Sequence, residues 1–191
     1  MIVFVDESGM LMAPLVRRTW SLRGQTPLLR QRGRCHQKVS AIAAICIAPA
    51  RDRLALYFRL HPDANINAER AMDFLEHLQR QLRTPIVLIW DSFQAHKGEL
   101  LNQCVLPRSA HLQYLPPYAP ELNPVEYLWS WLKTNPLAND PAADLHSLVH
   151  RTRRAAYSVQ HRQQLLRSFF RHPSDRTLLM HASIICPNWL V

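Results

Sequence analysis

Ile86-Val87-Leu88-Ile89-Trp90-Asp91 settles much of the architecture. Its five apolar residues would face both sides of a strand, which suits a parallel sheet covered by helices on each face. The run stops at a carboxylate. A second run, Ile2-Val3-Phe4-Val5, is equally rich in strand formers and also stops at a carboxylate, Asp6. Two buried strands ending in Asp point to acidic groups at the carboxyl ends of the strands, where α/β sites usually lie.

Working outward, residues 39–47 (Val-Ser-Ala-Ile-Ala-Ala-Ile-Cys-Ile) read as a second strand. Residues 53–60 alternate, with Leu54, Leu56, Phe58 and Leu60 on one face, which predicts a third strand and a meander. Residues 67–82 follow helical spacing, with Asn67 as N-cap and Ala68, Ala71, Met72, Leu75, Leu78 and Leu82 as the apolar stripe. After residues 86–90 come a short helix over Lys97 to Val105 and a strand over His111 to Leu115. Prolines forbid either element over 116–123. Asn123-Pro124 then opens a helix, with Pro at the first helical position. Val125, Leu128, Trp129 and Leu132 form its core face. Two further helices are expected over 141–157 and 159–171. Residues 9–38 form a long basic connection, with a possible strand around Arg18-Thr19-Trp20-Ser21-Leu22.

The order β-β-β-α-β-α-β-α followed by helices is the connectivity of an α/β, ribonuclease H-like (retroviral-integrase-like) fold, a mixed five-stranded sheet flanked by helices. In it the first and fourth strands are parallel neighbours, about 4.8 Å apart. Asp6 and Asp91 would then stand side by side at one edge of the sheet. Residues 1–172 are assigned to this domain, with additional helices at its C-terminal end. Residues 173–191 form a tail without clear periodicity.

Composition narrows the partner. The chain has 191 residues and a net charge of +9, with a pI near 10.0, a balance that favours a polyanion such as nucleic acid. Between Ser8 and Arg51 there is no acid, while Arg17, Arg18, Arg23, Arg30, Arg32, Arg34 and Lys38 fall inside. Leu145 to Ser174 is a second acid-free block, with Arg151, Arg153, Arg154, Arg162, Arg167 and Arg171. Such blocks suit phosphate contacts; a solvated basic face is the duller reading. Cys35, Cys46, Cys104 and Cys186 form no CxxC pair, which argues against structural zinc and for reduced thiols in a cytosol. No stretch is long enough to span a membrane, and Met1 leads straight into the first strand, with no room for a signal peptide.

Asp6, Asp91 and Glu126 are the candidate catalytic and metal-binding residues. Adjacent carboxylates gain most from a cation between them, and magnesium or manganese takes oxygen ligands while keeping several waters. Two ions about 4 Å apart activate a nucleophile and stabilise a leaving 3′ oxygen. In this reading Asp6 bridges both ions, Asp91 holds one and Glu126 the other. Duller roles stand beside these: Asp often ends strands at turns, and Glu126 three residues after Asn123 completes a capping box. Glu7, Glu121 and Asp73 are rival carboxylates, though Glu7 points to the opposite strand face from Asp6. His96 is a candidate contact to a phosphate or a metal-bound water, with an ordinary surface histidine as its alternative. Trp129 belongs to the core stripe; Trp131 is placed nearer the surface, within reach of DNA or a partner chain.

The string Leu115-Pro116-Pro117-Tyr118-Ala119-Pro120-Glu121-Leu122-Asn123-Pro124-Val125-Glu126-Tyr127-Leu128-Trp129 resembles the third catalytic block of mariner-superfamily transposases, in a bacterial insertion-sequence branch of the IS six-thirty type. Phe4-Val5-Asp6-Glu7-Ser8-Gly9 resembles the first block, and Leu88-Ile89-Trp90-Asp91 with His96 the second. The 34 residues between Asp91 and Glu126 match the family spacing. Arg18-Thr19-Trp20-Ser21-Leu22-Arg23-Gly24-Gln25-Thr26-Pro27 is also similar to a stretch of the family.

The resemblance implies a DDE transposase using two Mg2+ or Mn2+ ions. Its substrates would be element ends and target DNA, commonly at TA sites, and it would act as a homodimer in the DNA complex. It assigns catalysis to Asp6, Asp91 and Glu126 and ranks Glu126 above Glu121. Ser92 departs from the Asn usual at that position, though Ser still hydrogen-bonds. The helix-turn-helix domains that read terminal repeats are expected to be absent from this chain, which leaves two alternatives: a separately encoded upstream segment supplies them, or this is a truncated copy. A second expectation is an inactive transposase remnant that binds DNA or the full-length enzyme as a regulator. A general nuclease or integrase on the same fold is a third.

Overall fold

The computed structural model describes residues 1–28, 37–50, 53–91 and 110–170. Its strands are β1 (Ile2–Leu11), β2 (Lys38–Ile47), β3 (Leu54–Pro62), β4 (Ile86–Trp90) and β5 (Ala110–Tyr114). Its helices are α1 (Ala68–Leu82), α2 (Pro124–Thr134), α3 (Leu145–Gln160) and α4 (Gln163–Ser168), with a 3-10 turn at Pro120–Leu122. The strands form one sheet in the order β3-β2-β1-β4-β5. β1, β2 and β3 pair antiparallel, whereas β1 with β4 and β4 with β5 pair parallel. This is the mixed, helix-covered sheet of a ribonuclease H-like domain.

Strand alternation divides the core into two layers. Phe4, Ile45, Val87 and Ile89 face a cluster that includes Val125, Leu128, Trp129 and Leu132 of α2 with Leu148 and Val159 of α3. Val3, Val5, Leu88 and Trp90 face the opposite cluster with Ala71, Leu75 and Leu78 of α1. β4 is buried along its whole length, as its unbroken apolar run requires. Leu54, Leu56, Phe58 and Leu60 do share one face, toward the first cluster.

Capping chemistry starts the helices where the sequence places it. Asn67 accepts from the Arg70 amide at α1, Asn123 from the Val125 amide at α2, and Asp144 from the Ser147 amide at α3. α1 closes on Arg83 in the left-handed region, at φ 49°.

Several expectations need correction. β1 does not stop at Asp6 but runs on to Leu11, because β2 offers a hydrogen-bonding partner along its full length, from Ile2 opposite Ile47 to Leu11 opposite Lys38. Residues 18–22 are not a strand; they lie outside the sheet with no ladder partner. The helices expected over 141–157 and 159–171 are instead Leu145–Gln160 and Gln163–Ser168, since Asp144 starts the first as its cap. The expectation for Trp131 stands: it is more exposed than the buried Trp129, though part of it packs against the core. The helix expected over Lys97 to Val105, Cys35, Cys104, Cys186 and the tail from 173 lie outside the described residues. Cys46 is a buried free thiol, and burial pushes it up to about 12, so it stays protonated and inert.

β3 is one of the sheet's two edge strands, and glutamines cover part of it. Gln163 accepts from the Leu54 amide at 3.2 Å and donates to the Leu54 carbonyl at 2.8 Å. Gln160 donates to the Leu56 carbonyl at 2.7 Å. These side chains stand where a neighbouring strand would pair. Among the described residues no helix is long and apolar enough to cross a membrane.

Candidate active site

β1 and β4 are registered in parallel through Phe4 opposite Ile89. Asp6 and Asp91 each lie two residues farther on, so period-two alternation places both on the face of Phe4 and Ile89. That face is covered by α2, whose first turn carries Glu126. The fold thus brings Asp6, Asp91 and Glu126 to one rim of the sheet.

Electrostatics show the same convergence. Asp6 is only 5% exposed. Burial, then the neighbouring charges of Glu126, Glu7 and Asp91, push its carboxyl up to about 8, against a smaller pull from the Glu7 amide. Glu126 is also raised, first by partial desolvation and then by Asp91, while Lys133 acts in the opposite sense. Glu126 is otherwise an exposed residue. Asp91 is half-buried.

Three hydrogen bonds pin α2 along β1. Asn123, 2% exposed, donates its side-chain N–H to the Val5 carbonyl at 3.1 Å while its Oδ1 accepts from the Val125 amide at 3.1 Å. Trp129 Nε1 donates to Asp6 Oδ2 at 2.9 Å in a buried setting. Lys133 Nζ donates to Ser8 Oγ at 2.7 Å. Glu126 sits between the first two anchors, so its height along β1 is set by bonds on either side. Sequence reading gave Asn123 only a capping role and Trp129 only a core role, and it passed over Lys133 and Ser8. The buried indole N–H of Trp129, which needs an acceptor, was the available signal.

The rivals are placed elsewhere. Asp73 is on α1, paired with Arg59 and His77. Glu121 is exposed in the 3-10 turn before α2. Glu7 belongs to the α1 side of the sheet by alternation, yet its charge still reaches Asp6.

As arranged, no three His, Cys, Asp or Glu side chains among the described residues form a ready-made metal cage. The donor set still fits a hard divalent cation. It consists of carboxylate oxygens from three separate elements, and the repulsion that raises Asp6 is relieved by a cation bound among them.

The predicted DNA-binding residues divide. Arg17 is tied to the protein itself: its guanidinium donates to the Thr134 carbonyl at 2.8 Å, at the end of α2, and its backbone is clasped by the Asn139 amide at 2.7 and 2.8 Å. Arg18 and Arg23 are exposed, beside a Trp20 that is 99% exposed. Lys38 starts β2 opposite Leu11, half-buried. Arg30, Arg32, Arg34, His96 and Ser92 lie outside the described residues. In the second basic block, Arg151 pairs with Asp140 at 2.8 Å, and Arg171 is outside the described residues.

The site is thus a group of three carboxylates at one rim of a helix-covered mixed sheet. Residues 1–149 match the family described as DDE superfamily endonuclease, and the chain belongs to that family. Similar solved structures include the Mos1 transposase paired-end complex with left transposon end, at 16% identity and a TM-score of 0.58 over 90% of this chain and 56% of that one. Others are the Mos1 Strand Transfer Complex, at 16% identity and 0.59 over 90% and 55%, and the Mos1 mariner paired end complex with Mn, at 16% and 0.57 over 90% and 56%. At such identities the likeness is one of fold. The chain spans just over half the length of these proteins. No curated protein sequence matches it.

Proposed function

We propose that residues 1–172 are the catalytic domain of a bacterial insertion-sequence transposase of the IS six-thirty type, which cleaves DNA strands at element ends and joins the 3′ ends to target DNA. The observation that carries this reading is the placement of Asp6, Asp91 and Glu126 on one face and one rim, with Asp6 pushed up to about 8 by burial among carboxylates. These three would hold two Mg2+ or Mn2+ ions. When bound, such ions activate the attacking oxygen and stabilise the leaving 3′ oxygen.

The chain's own residues do the rest. Asn123 and Trp129 keep α2 on β1, so Glu126 stays level with Asp6. Arg18 and Arg23 offer charges to the DNA backbone. The family resemblance adds TA target sites, a homodimer in the DNA complex and a helix-turn-helix segment that reads the element ends.

The test is metal-dependent nicking and joining of DNA that carries the element ends. Wild type is expected to nick with Mg2+ or Mn2+, and Asp91→Ala is expected to lose this while staying folded. Folded wild type without cleavage under either metal would overturn the proposal.

The exposed segment of Arg18, Trp20 and Arg23 favours a second reading, a remnant that binds DNA or the full-length enzyme without catalysis. It predicts binding and regulation unaltered in Asp6→Ala and indifferent to metal.

A further inference from the structure

We infer that Trp129 is a positioning residue for Asp6: its indole N–H orients the carboxylate that takes the metal. The inference rests on the metal-holding role proposed above for Asp6.

Trp129 is 3% exposed and Asp6 5%. Their Nε1 to Oδ2 distance is 2.9 Å. A carboxylate turns readily about its last torsion, whose preference is broad. A bond from a ring fixed in the core removes that freedom. The ring is held by its place in the α2 stripe, between Leu128 and Leu132, which are 1% and 0% exposed.

The kind of donor matters. A lysine or arginine here would orient Asp6 but also neutralise it, and a cation would then be bound less well. Indole donates one N–H, accepts nothing and carries no charge. It sets the plane of the carboxylate and leaves its negative charge for a cation. Phenylalanine would meet the packing need alone, so the buried polar edge calls for a separate explanation. Partners that orient metal ligands in this way typically alter affinity ~10–100-fold when removed.

Mn2+ binding, read by electron paramagnetic resonance of the free ion and by calorimetry, tests the inference without relying on activity. In Trp129→Phe, Mn2+ affinity is expected to fall about 10-fold. Nicking should need correspondingly more Mn2+, with a smaller change in rate at saturation. Leu128→Val, a packing change in the same stripe, should lower stability but keep wild-type Mn2+ affinity. If Trp129→Phe does not fold, replacing Trp129 with β-(3-benzothienyl)alanine keeps the ring shape, puts sulfur in place of N–H and carries the same expectation. A folded variant with wild-type Mn2+ affinity overturns the inference and leaves the proposed function standing. Wild type that binds no Mn2+ overturns both.

Discussion

Asn123 joins two elements at once: its side-chain N–H meets the Val5 carbonyl at 3.1 Å, and its Oδ1 caps the Val125 amide at 3.1 Å. Val5 precedes Asp6, and Asn123 stands three residues before Glu126. One amide therefore sets the relative height of two of the three site carboxylates.

Replacing Asn123 separates its two duties. Asn123→Ala loses the cap and removes a donor from the buried Val5 carbonyl, for about 1–3 kcal/mol in all. Asn123→Asp keeps an acceptor for the cap but turns an oxygen toward the Val5 carbonyl, so it should also destabilise. Urea unfolding measures both. An Asn123→Ala loss below about 0.5 kcal/mol would show that the strap adds nothing, since even a surface change can reach that size.

The carboxyl of Asp6 predicts how metal-free stability depends on pH. Its folded value is about 8 against 3.8 in the unfolded chain, so between these values the folded state keeps a proton that the unfolded state has lost. The stability from this group is present below about pH 4 and is lost as pH rises toward 8. The upper bound is on the order of 5 kcal/mol. Wild type should therefore lose Tm relative to Asp6→Asn between pH 5 and 8 without metal, and saturating Mn2+ should recover much of the loss at pH 8. A constant difference between the two proteins across that range contradicts the assignment.

The basic segment should show two behaviours. Arg17→Ala removes a donor from the Thr134 carbonyl at the end of α2, so it should cost about 1 kcal/mol of stability. Arg18→Ala and Arg23→Ala should leave stability alone and weaken DNA binding. Each should reduce the slope of log affinity against log salt by roughly 0.9 if it meets one phosphate. Fluorescence anisotropy across a salt series distinguishes the two classes; equal slopes for wild type and both variants would remove these arginines from the DNA surface.

Gln163 should protect the sheet edge. Gln163→Ala uncovers the Leu54 amide and carbonyl, so hydrogen exchange at Leu54 should quicken about 10-fold, the equivalent of some 1.4 kcal/mol of local protection. Exchange at Val5 and Leu88, inside the sheet, should be unchanged. An unchanged Leu54 rate would mean that the glutamine does not protect the edge.

Much of the frame was legible locally. Ile86–Trp90 is buried on both faces because no polar residue interrupts it, and Asn67 and Asn123 cap helices because their side chains reach amides within a few residues. Asp6 looked like a strand end because Glu7, Ser8 and Gly9 break the apolar run. It lies within β1 because strand length follows backbone pairing with β2, which side-chain polarity does not report.

The order of apolar runs, their periods and the carboxylates that close two of them were enough to imply the sheet, its covered strands and a rim bearing Asp6 and Asp91. These properties depend on near neighbours, and burial periodicity records them directly. The partners of single polar atoms belong to tertiary structure alone. Asn123 meets Val5 across 118 positions, Trp129 meets Asp6 across 123, and Arg17 meets Thr134 across 117. Periodicity says which face of a helix turns inward. Which atom waits there is decided only when distant elements pack.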